Sequence, residues 1–112
     1  MIESYGFGRM GIDGVAYTSD LIVFPDHVKS DWWRVEGHKL RVEDLAEVLK
    51  AKPETLVVGT GYLGLMKVLP ETESHLQAEG IRLIAERTGK AYRIYNSLSR
   101  SGRVFGAFHL TC

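Results

Sequence analysis

The chain has 112 residues with 14 basic and 14 acidic side chains, and 45% of its residues are hydrophobic. This length and composition predict one globular domain, residues 1–112, with an apolar core, and they exclude a disordered chain. No apolar run approaches the roughly eighteen residues of a membrane span, and the first ten residues lack a signal-peptide pattern, so we expect a cytoplasmic protein with no membrane partner.

The first quarter of the chain predicts β-structure with tight turns. Residues 2–7 form the first predicted strand, residues 8–11 a turn, and residues 14–19 a second strand. The apolar run at 21–24 predicts a third strand, which ends at Pro25. These early strands are close together in sequence, so we expect them to form a β layer of their own.

Helices and apolar strands alternate in the rest of the chain. The run Val42–Leu49 has its apolar residues at helical spacing, and Pro53 follows it. Residues 55–58 predict a strand covered on both faces, because three successive residues are apolar. Pro70 begins a helix that Gly80 caps. The remaining predicted elements are a strand at 81–85, a helix from Thr88 to Gly102 and a strand at 104–110. This order predicts a three-layer α/β domain with a mostly parallel central sheet, flanking helices and an added N-terminal β layer.

The glycines at 59, 61 and 64 match the G-x-G-x-x-G pattern of dinucleotide-binding sites, and they follow an apolar strand. In such sites the helix begins within the glycine loop, so Pro70 would lie inside it and cost about 3 kcal/mol. No second nucleotide-binding half follows, and we predict no dinucleotide or other cofactor. The loop Gly59-Thr60-Gly61 still lies at the carboxyl end of a strand, where open α/β sheets bind ligands. Its amides and the Thr60 hydroxyl suit a small anion or carboxylate; the alternative is a purely structural tight turn.

Residues 32–38, WWRVEGH, combine aromatic, cationic and titratable side chains in what we predict to be a strand-like bend. Arg34 could clamp a carboxylate or phosphate while His38 acts as acid or base. The alternative is structural, with tryptophan packed in the core to anchor the β layer on the helices and Arg34 paired to a nearby carboxylate. For Trp32 and Trp33 we predict this structural role, and for Arg34 and His38 both interpretations stay open. Asn96 is a further candidate, because it follows an inward-facing residue and could either reach a pocket or cap local backbone.

The remaining polar residues give no recognisable catalytic or metal site. The histidines have no metal-ligand spacing, Cys112 has no second cysteine to pair with, and the serines lack a nucleophile-elbow context. His109, within the apolar terminal strand, fits a hydrogen-bonded core residue better than a ligand. We therefore predict no metal and lean against an enzyme.

Charge is distributed unevenly along the chain. Residues 1–79 carry eight Lys/Arg against thirteen Asp/Glu, whereas residues 80–112 carry six against one. On the predicted last helix, Lys90, Arg93 and Arg100 form a basic stripe opposite the apolar face. This stripe is a candidate surface for a protein partner, but the basic excess is too small to predict nucleic-acid binding.

Several of these motifs together resemble one family of small proteins. They are G-I-D-G at 11–14, W-R-x-x-x-H at 33–38, G-T-G at 59–61, Y-N at 95–96 and R-V-x-x-x-x-H-L-x-C at 103–112. The family includes the mitochondrial complex I assembly factor 3 and the adipogenesis-associated domain protein, together with bacterial and archaeal members of unknown function. The resemblance covers nearly the whole chain and implies a three-layer fold with a mixed sheet. It implies protein partnership rather than a catalytic mechanism, and the absence of an Arg- and Ser-rich presequence argues against transferring the mitochondrial role.

Two functions follow as hypotheses. The first is a non-catalytic protein-interaction or assembly module. The second is a binding protein or enzyme for a small anion or carboxylate, in which Arg34, His38 and Asn96 converge on the loop 59–61. A homo-oligomer is compatible with either, because the charge asymmetry could orient two copies.

Overall fold

The computed structural model describes residues 1–112 and contains ten strands and three α-helices. The strands are β1 (Ile2–Gly6), β2 (Arg9–Ile12), β3 (Val15–Tyr17), β4 (Leu21–Val23), β5 (Val28–Lys29), β6 (Lys39–Leu40), β7 (Thr55–Thr60), β8 (Lys67–Val68), β9 (Arg82–Glu86) and β10 (Val104–His109). The helices are α1 (Ala46–Ala51), α2 (Pro70–Ala78) and α3 (Thr88–Leu98). None of these helices combines the length and the apolar character needed to cross a bilayer.

The central sheet has five strands in the order β5-β4-β10-β7-β9. Strand β10 pairs in parallel with β7, and β7 pairs in parallel with β9. Strand β4 runs antiparallel to both of its neighbours, β10 and β5. Four of the five strands therefore run in the same direction, and the predicted mixed, mostly parallel sheet is confirmed.

Each face of this sheet is covered by a separate apolar cluster. Alternate residues of β7 face opposite sides, so that Leu56 and Val58 belong to one cluster and Val57 to the other. The first cluster includes Val48 of α1 and Leu76 of α2, and the second includes residues of α3 and of the β1-β2-β3 meander. The three-layer architecture and the added N-terminal β layer are as predicted, but the third early strand, predicted at 21–24 as part of that layer, is instead strand β4 of the central sheet.

The helix starts at Pro70 and Thr88 are confirmed, and Gly80 follows α2 in the left-handed region at φ +75°. Two helical boundaries differ from prediction. Helix α3 ends at Leu98 rather than near Gly102, and the region predicted as one helix from Val42 begins with a 3-10 turn at Val42–Leu45 before α1.

The strand prediction is wrong in the glycine-rich stretch near the N-terminus, and it lacks the two-residue strands β5, β6 and β8. The predicted turn at 8–11 is mostly strand β2, which pairs with both β1 and β3. Of its glycines, Gly8 has a positive φ of 73°, but Gly11 lies within the strand, where a Cβ would come within 2.7 Å of the Ser4 hydroxyl. Gly11 therefore marks a close cross-strand approach rather than a turn. The predicted bend at 32–38 is an irregular loop that ends in a single bridge between Glu36 and Lys39.

Candidate functional site

A buried polar cluster lies where β10 ends, and Asp20 is its centre. The carboxylate Oδ2 accepts hydrogen bonds from Arg34 Nη2 and His109 Nδ1, each at 2.7 Å. The other oxygen, Oδ1, accepts the backbone N–H of Leu110 at 2.7 Å. The side chains of Arg34 and His109 are only 4% and 6% exposed. Asp20 therefore joins the start of β4, the 32–38 loop and the end of β10.

The ionisation of Asp20 follows from these contacts. Burial acts to raise its pKa, but the hydrogen bonds from His109, Leu110 and Arg34 outweigh burial and hold the pKa below the usual value. The 2.7 Å contact between the Asp20 carboxylate and His109 Nδ1 is a hydrogen bond when Nδ1 carries a proton. The ionised Asp20 carboxylate is thus held in one orientation by three hydrogen bonds.

His38 and the glycine loop meet this cluster at His109. The rings of His38 and His109 are 5.4 Å apart and arranged edge to face. Thr60 is in register with His109 on the neighbouring strand, and a Cβ on Gly61 would lie 2.8 Å from His109 Cδ2. The structure therefore brings Arg34, His38, Thr60 and Gly61 together around one imidazole.

Asn96 does not join this group. Its side-chain amide exchanges two hydrogen bonds with the backbone of Ile2, at 2.9 Å and 2.7 Å. Both polar atoms of the amide are thereby used to attach β1 to α3. Asn96 therefore has a structural contact with backbone, but to a strand 94 residues away rather than to the local backbone that we predicted as the alternative.

The backbone of the glycine loop is tied down by Thr88, which is fully buried. The Thr88 hydroxyl accepts the Gly61 N–H at 2.9 Å and donates to the His109 carbonyl at 2.6 Å. The Thr60 hydroxyl donates to the Glu86 carbonyl at 3.1 Å. The two loop groups that we expected to face an anion are therefore engaged within the chain.

Close packing explains why residue 59 is a glycine. A Cβ there would come within 2.7 Å of Phe108 Cδ1 and Thr88 Oγ1 and within 3.2 Å of Thr88 Cα. Gly59→Ala is expected to destabilise the fold by about 1–3 kcal/mol through overpacking, measured by urea unfolding. Gly37→Ala is the matched control, because a Cβ added at Gly37 would meet nothing within 4 Å. Equal midpoints for the two variants would contradict this explanation.

Two nitrogen atoms of the cluster have no hydrogen-bond partner, Arg34 Nη1 and His109 Nε2. Arg34 is otherwise well held, since its Nε donates to the Gly37 carbonyl and its guanidinium stacks on the Trp32 ring at 4.7 Å. Trp32 is buried, as predicted, and donates its indole N–H to the Asp44 carbonyl. The same prediction for Trp33 is wrong, because Trp33 points outward and is 81% exposed.

A second feature at this edge of the molecule is an exposed apolar surface, formed by Phe7, Tyr62, Leu63 and Leu65. These side chains are 45–58% exposed, and they are four of the eight exposed large hydrophobic residues of the chain. The rings of Phe7 and Tyr62 are in edge contact, with centroids 5.8 Å apart. We refer to these four residues as the apolar loop surface.

The loop that carries Tyr62, Leu63 and Leu65 is held by backbone hydrogen bonds to residues 111 and 112. Tyr62 N–H donates to the Thr111 carbonyl and Leu65 N–H to the Cys112 carbonyl, at 2.7 Å and 3.0 Å. Behind it, Tyr5 contacts Tyr62 and donates its hydroxyl to the Leu110 carbonyl, and burial raises the pKa of Tyr5 to about 12. The apolar side chains are thus exposed on a fixed backbone.

The predicted basic stripe is linked to this surface only indirectly, through Tyr92 and Tyr5. Tyr92 contacts Tyr5, and the Arg93 guanidinium lies 5.6 Å from the centre of the Tyr92 ring. Lys90 is exposed and lies 3.7 Å from Glu86, and Arg100 lies in the turn beyond the end of α3. Lys90 and Arg93 are thus on the helix, whereas Arg100 is not.

Sequence reasoning missed Asp20, Thr88 as a hydrogen-bonding residue, and the apolar loop surface. Asp20 directly precedes the buried strand β4, and an acid in that position needs a partner. The run Tyr62-Leu63-x-Leu65 before Pro70 also carried a signal, because it is apolar within a predicted loop. Thr88 gave no comparable signal, since threonine is common at helix starts.

Comparisons with known proteins agree with this architecture. The model of a family described as "Protein of unknown function (DUF498/DUF598)" matches residues 2–109. The conserved hypothetical protein PH1505 from Pyrococcus horikoshii OT3 is 27% identical, with 100% of this chain and 99% of that chain covered and a TM-score of 0.88. The protein MT938 is 25% identical over 100% of this chain and 98% of its own, with a TM-score of 0.81. A Mth938-like domain from Bordetella pertussis shares the fold at 23% identity, 98% and 85% coverage and a TM-score of 0.69.

Proposed function

We propose that this chain, which belongs to the DUF498/DUF598 family of proteins of unknown function, is a non-catalytic protein-interaction module. The observation that carries the proposal is the apolar loop surface. Phe7 and Tyr62 are in ring contact, Leu63 and Leu65 are exposed on the same loop as Tyr62, and the backbone of that loop is held in place by hydrogen bonds. Clustered apolar side chains on a fixed backbone are typical of protein-binding sites, because little conformational entropy is lost on binding.

The charges around this surface indicate the chemistry of the partner. Arg87 packs against Gly64, with its Cγ 3.2 Å from the position of a Gly64 Cβ, and Lys67 Nζ lies 3.4 Å from the Gly64 carbonyl. Arg93 lies farther out, beside Tyr92, whose ring contacts Tyr5 behind the surface. An apolar centre with a basic rim is complementary to a protein segment with apolar side chains flanked by acidic ones.

Affinity purification from the native host with variants of the full chain tests this function. We expect Leu63→Asp to lose a partner that the wild type retains, because the substitution places a charge in the apolar centre. The matched control is Val15→Asp, since Val15 is 51% exposed and lies at the other end of β2 from the hairpin that carries Phe7. Equal thermal midpoints for all three proteins would show that folding is unchanged.

The charged rim gives the second arm of this experiment. Arg93→Glu should weaken recovery of the same partner, and recovery by the wild type should fall as salt is raised. A partner recovered equally by the wild type and Leu63→Asp would overturn the proposal, as would the absence of any partner specific to the wild type.

The alternative function, binding of a small anion or carboxylate, rests on the convergence of Arg34 and His38 near Gly61 and on the unpartnered Nη1 of Arg34. We rank it second because Asp20 already balances the charge of Arg34, and Thr88 already accepts the Gly61 N–H. A rise in thermal midpoint with phosphate or acetate that is lost in Arg34→Lys would reverse this ranking.

A further inference from the structure

Strand β9 forms an open edge of the central sheet. It pairs only with β7, whereas the opposite edge strand, β5, has just two residues. Natural edge strands are usually shortened, bulged or interrupted by proline or lysine, because an open edge recruits other strands. The β9 sequence, RLIAE, has none of these protections, and its three central residues are uncharged and apolar.

The backbone groups that face outward from β9 can be identified from the ladder. Arg82 donates its N–H to the Glu54 carbonyl at 3.0 Å, so its backbone groups face β7. Since backbone groups alternate sides along a strand, those of Ile84 and Glu86 also face β7, and those of Leu83 and Ala85 face outward. The Glu86 carbonyl, which accepts the Thr60 hydroxyl, agrees with this assignment.

We propose that β9 is the interface through which two copies of this chain associate, by antiparallel pairing about a two-fold axis at Ile84. In this register Leu83 of each copy pairs with Ala85 of the other, so each such pair makes two hydrogen bonds and all the outward groups of both residues are satisfied. The same register places Arg82 opposite Glu86 of the second copy, on both sides of the axis.

This charge match is specific to the proposed pairing. Within one chain, Arg82 and Glu86 are four residues apart on an extended strand, about 13 Å, so they cannot pair with each other. Sliding the second copy by two residues would put Arg82 opposite Ile84 and leave outward groups unpaired. On either face the side chains also match, with Ile84 against Ile84 and Leu83 against Ala85.

Sedimentation velocity of the full chain over a wide concentration range tests the proposal. We expect the wild type to shift from monomer to dimer mass as concentration rises. Arg82→Glu and Glu86→Arg should each raise the dimer dissociation constant by about tenfold or more. Each substitution makes residues 82 and 86, which lie opposite each other on both sides of the axis, carry the same charge. The double variant Arg82→Glu/Glu86→Arg should recover the wild-type association, since each 82–86 pair again has one acidic and one basic residue, with their positions exchanged.

A backbone variant provides an independent check. Ala85→Pro removes an outward N–H without removing a hydrogen bond to β7, so the monomer should keep its far-ultraviolet circular dichroism while dimerisation is lost. A wild type that remains monomeric at the highest concentration would overturn the proposal. So would single charge variants that dimerise like the wild type, or a double variant that is no better than either single one.

Discussion

Asp20→Ala is expected to lower the free energy of unfolding by about 3–5 kcal/mol, because it leaves the buried Arg34 guanidinium without its counter-charge. It also removes the acceptor for His109 Nδ1 and the Leu110 N–H. Urea unfolding at neutral pH measures the effect. A loss of this size is a large fraction of the roughly 5–15 kcal/mol that is usual for a domain.

An exposed pair of the same chemistry gives the control. Asp26 contacts His27 Nδ1 at 2.8 Å, much as Asp20 contacts His109, but the Asp26 side chain is 85% exposed. Asp26→Ala should therefore leave the unfolding midpoint unchanged within error. If Asp20→Ala and Asp26→Ala had the same unfolding midpoint, the buried cluster would not contribute to stability.

The effect of Asp20 should also depend on pH. Because its folded-state pKa is lowered, its contribution is present above the unfolded value of 3.8 and is lost as pH falls through the lower folded-state pKa. The stability gap between wild type and Asp20→Ala should therefore narrow on going from neutral pH to pH values below about 4. A stability gap that stays constant or widens in acid would show that the ionised Asp20 carboxylate is not its cause.

Thr88→Val is expected to lower the free energy of unfolding by about 2–6 kcal/mol. Two buried backbone groups lose their hydrogen-bond partner, and each loss contributes about 1–3 kcal/mol. These groups are the Gly61 N–H and the His109 carbonyl. Valine has nearly the same shape as threonine, so the change removes the hydroxyl without opening a cavity. Chemical denaturation monitored by tryptophan fluorescence measures the loss.

Thr72 allows a matched comparison. It is also buried, but its hydroxyl makes one hydrogen bond, to the Leu40 carbonyl at 2.8 Å. Thr72→Val should cost about 1–3 kcal/mol, half of the Thr88 effect, and Thr88→Ser should retain most of the stability because it keeps the hydroxyl. If Thr88→Val cost no more than Thr72→Val, the bridging role of Thr88 would be wrong.

Local signals in the sequence were sufficient for most of the architecture. Pro70 and Thr88 marked helix starts that the structure confirms, and the continuous apolar runs around 55–58 and 104–110 marked the central strands. Both signals depend on residues close together in the chain, where backbone preference and burial act directly. The meander was mispredicted because a glycine in a strand and a glycine in a turn look alike without the neighbour that crowds Gly11.

The candidate site was predictable only in part. Arg34 and His38 both contact His109, which lies against Gly61 at the carboxyl end of a parallel strand, but the side chain that holds Arg34 and His109 is Asp20. The bond between Asp20 and His109 joins residues 89 apart in sequence, and the bond between Thr88 and Gly61 joins residues 27 apart. No local pattern encodes such pairings, because they depend on how the elements pack after they have formed.

Strand β10 is central in the sheet but follows every other sheet strand in the chain, and this order affects how the protein folds. It alone joins β4 to β7, and its contact with β4 pairs residues 106–108 with 21–23. Until residues 104–109 are in place, the sheet consists of two unconnected halves. Because such long-range closure slows folding, we infer that insertion of β10 is the late, rate-limiting event. Before it, the edges of β4 and β7 that β10 later covers are open to incorrect strand pairing.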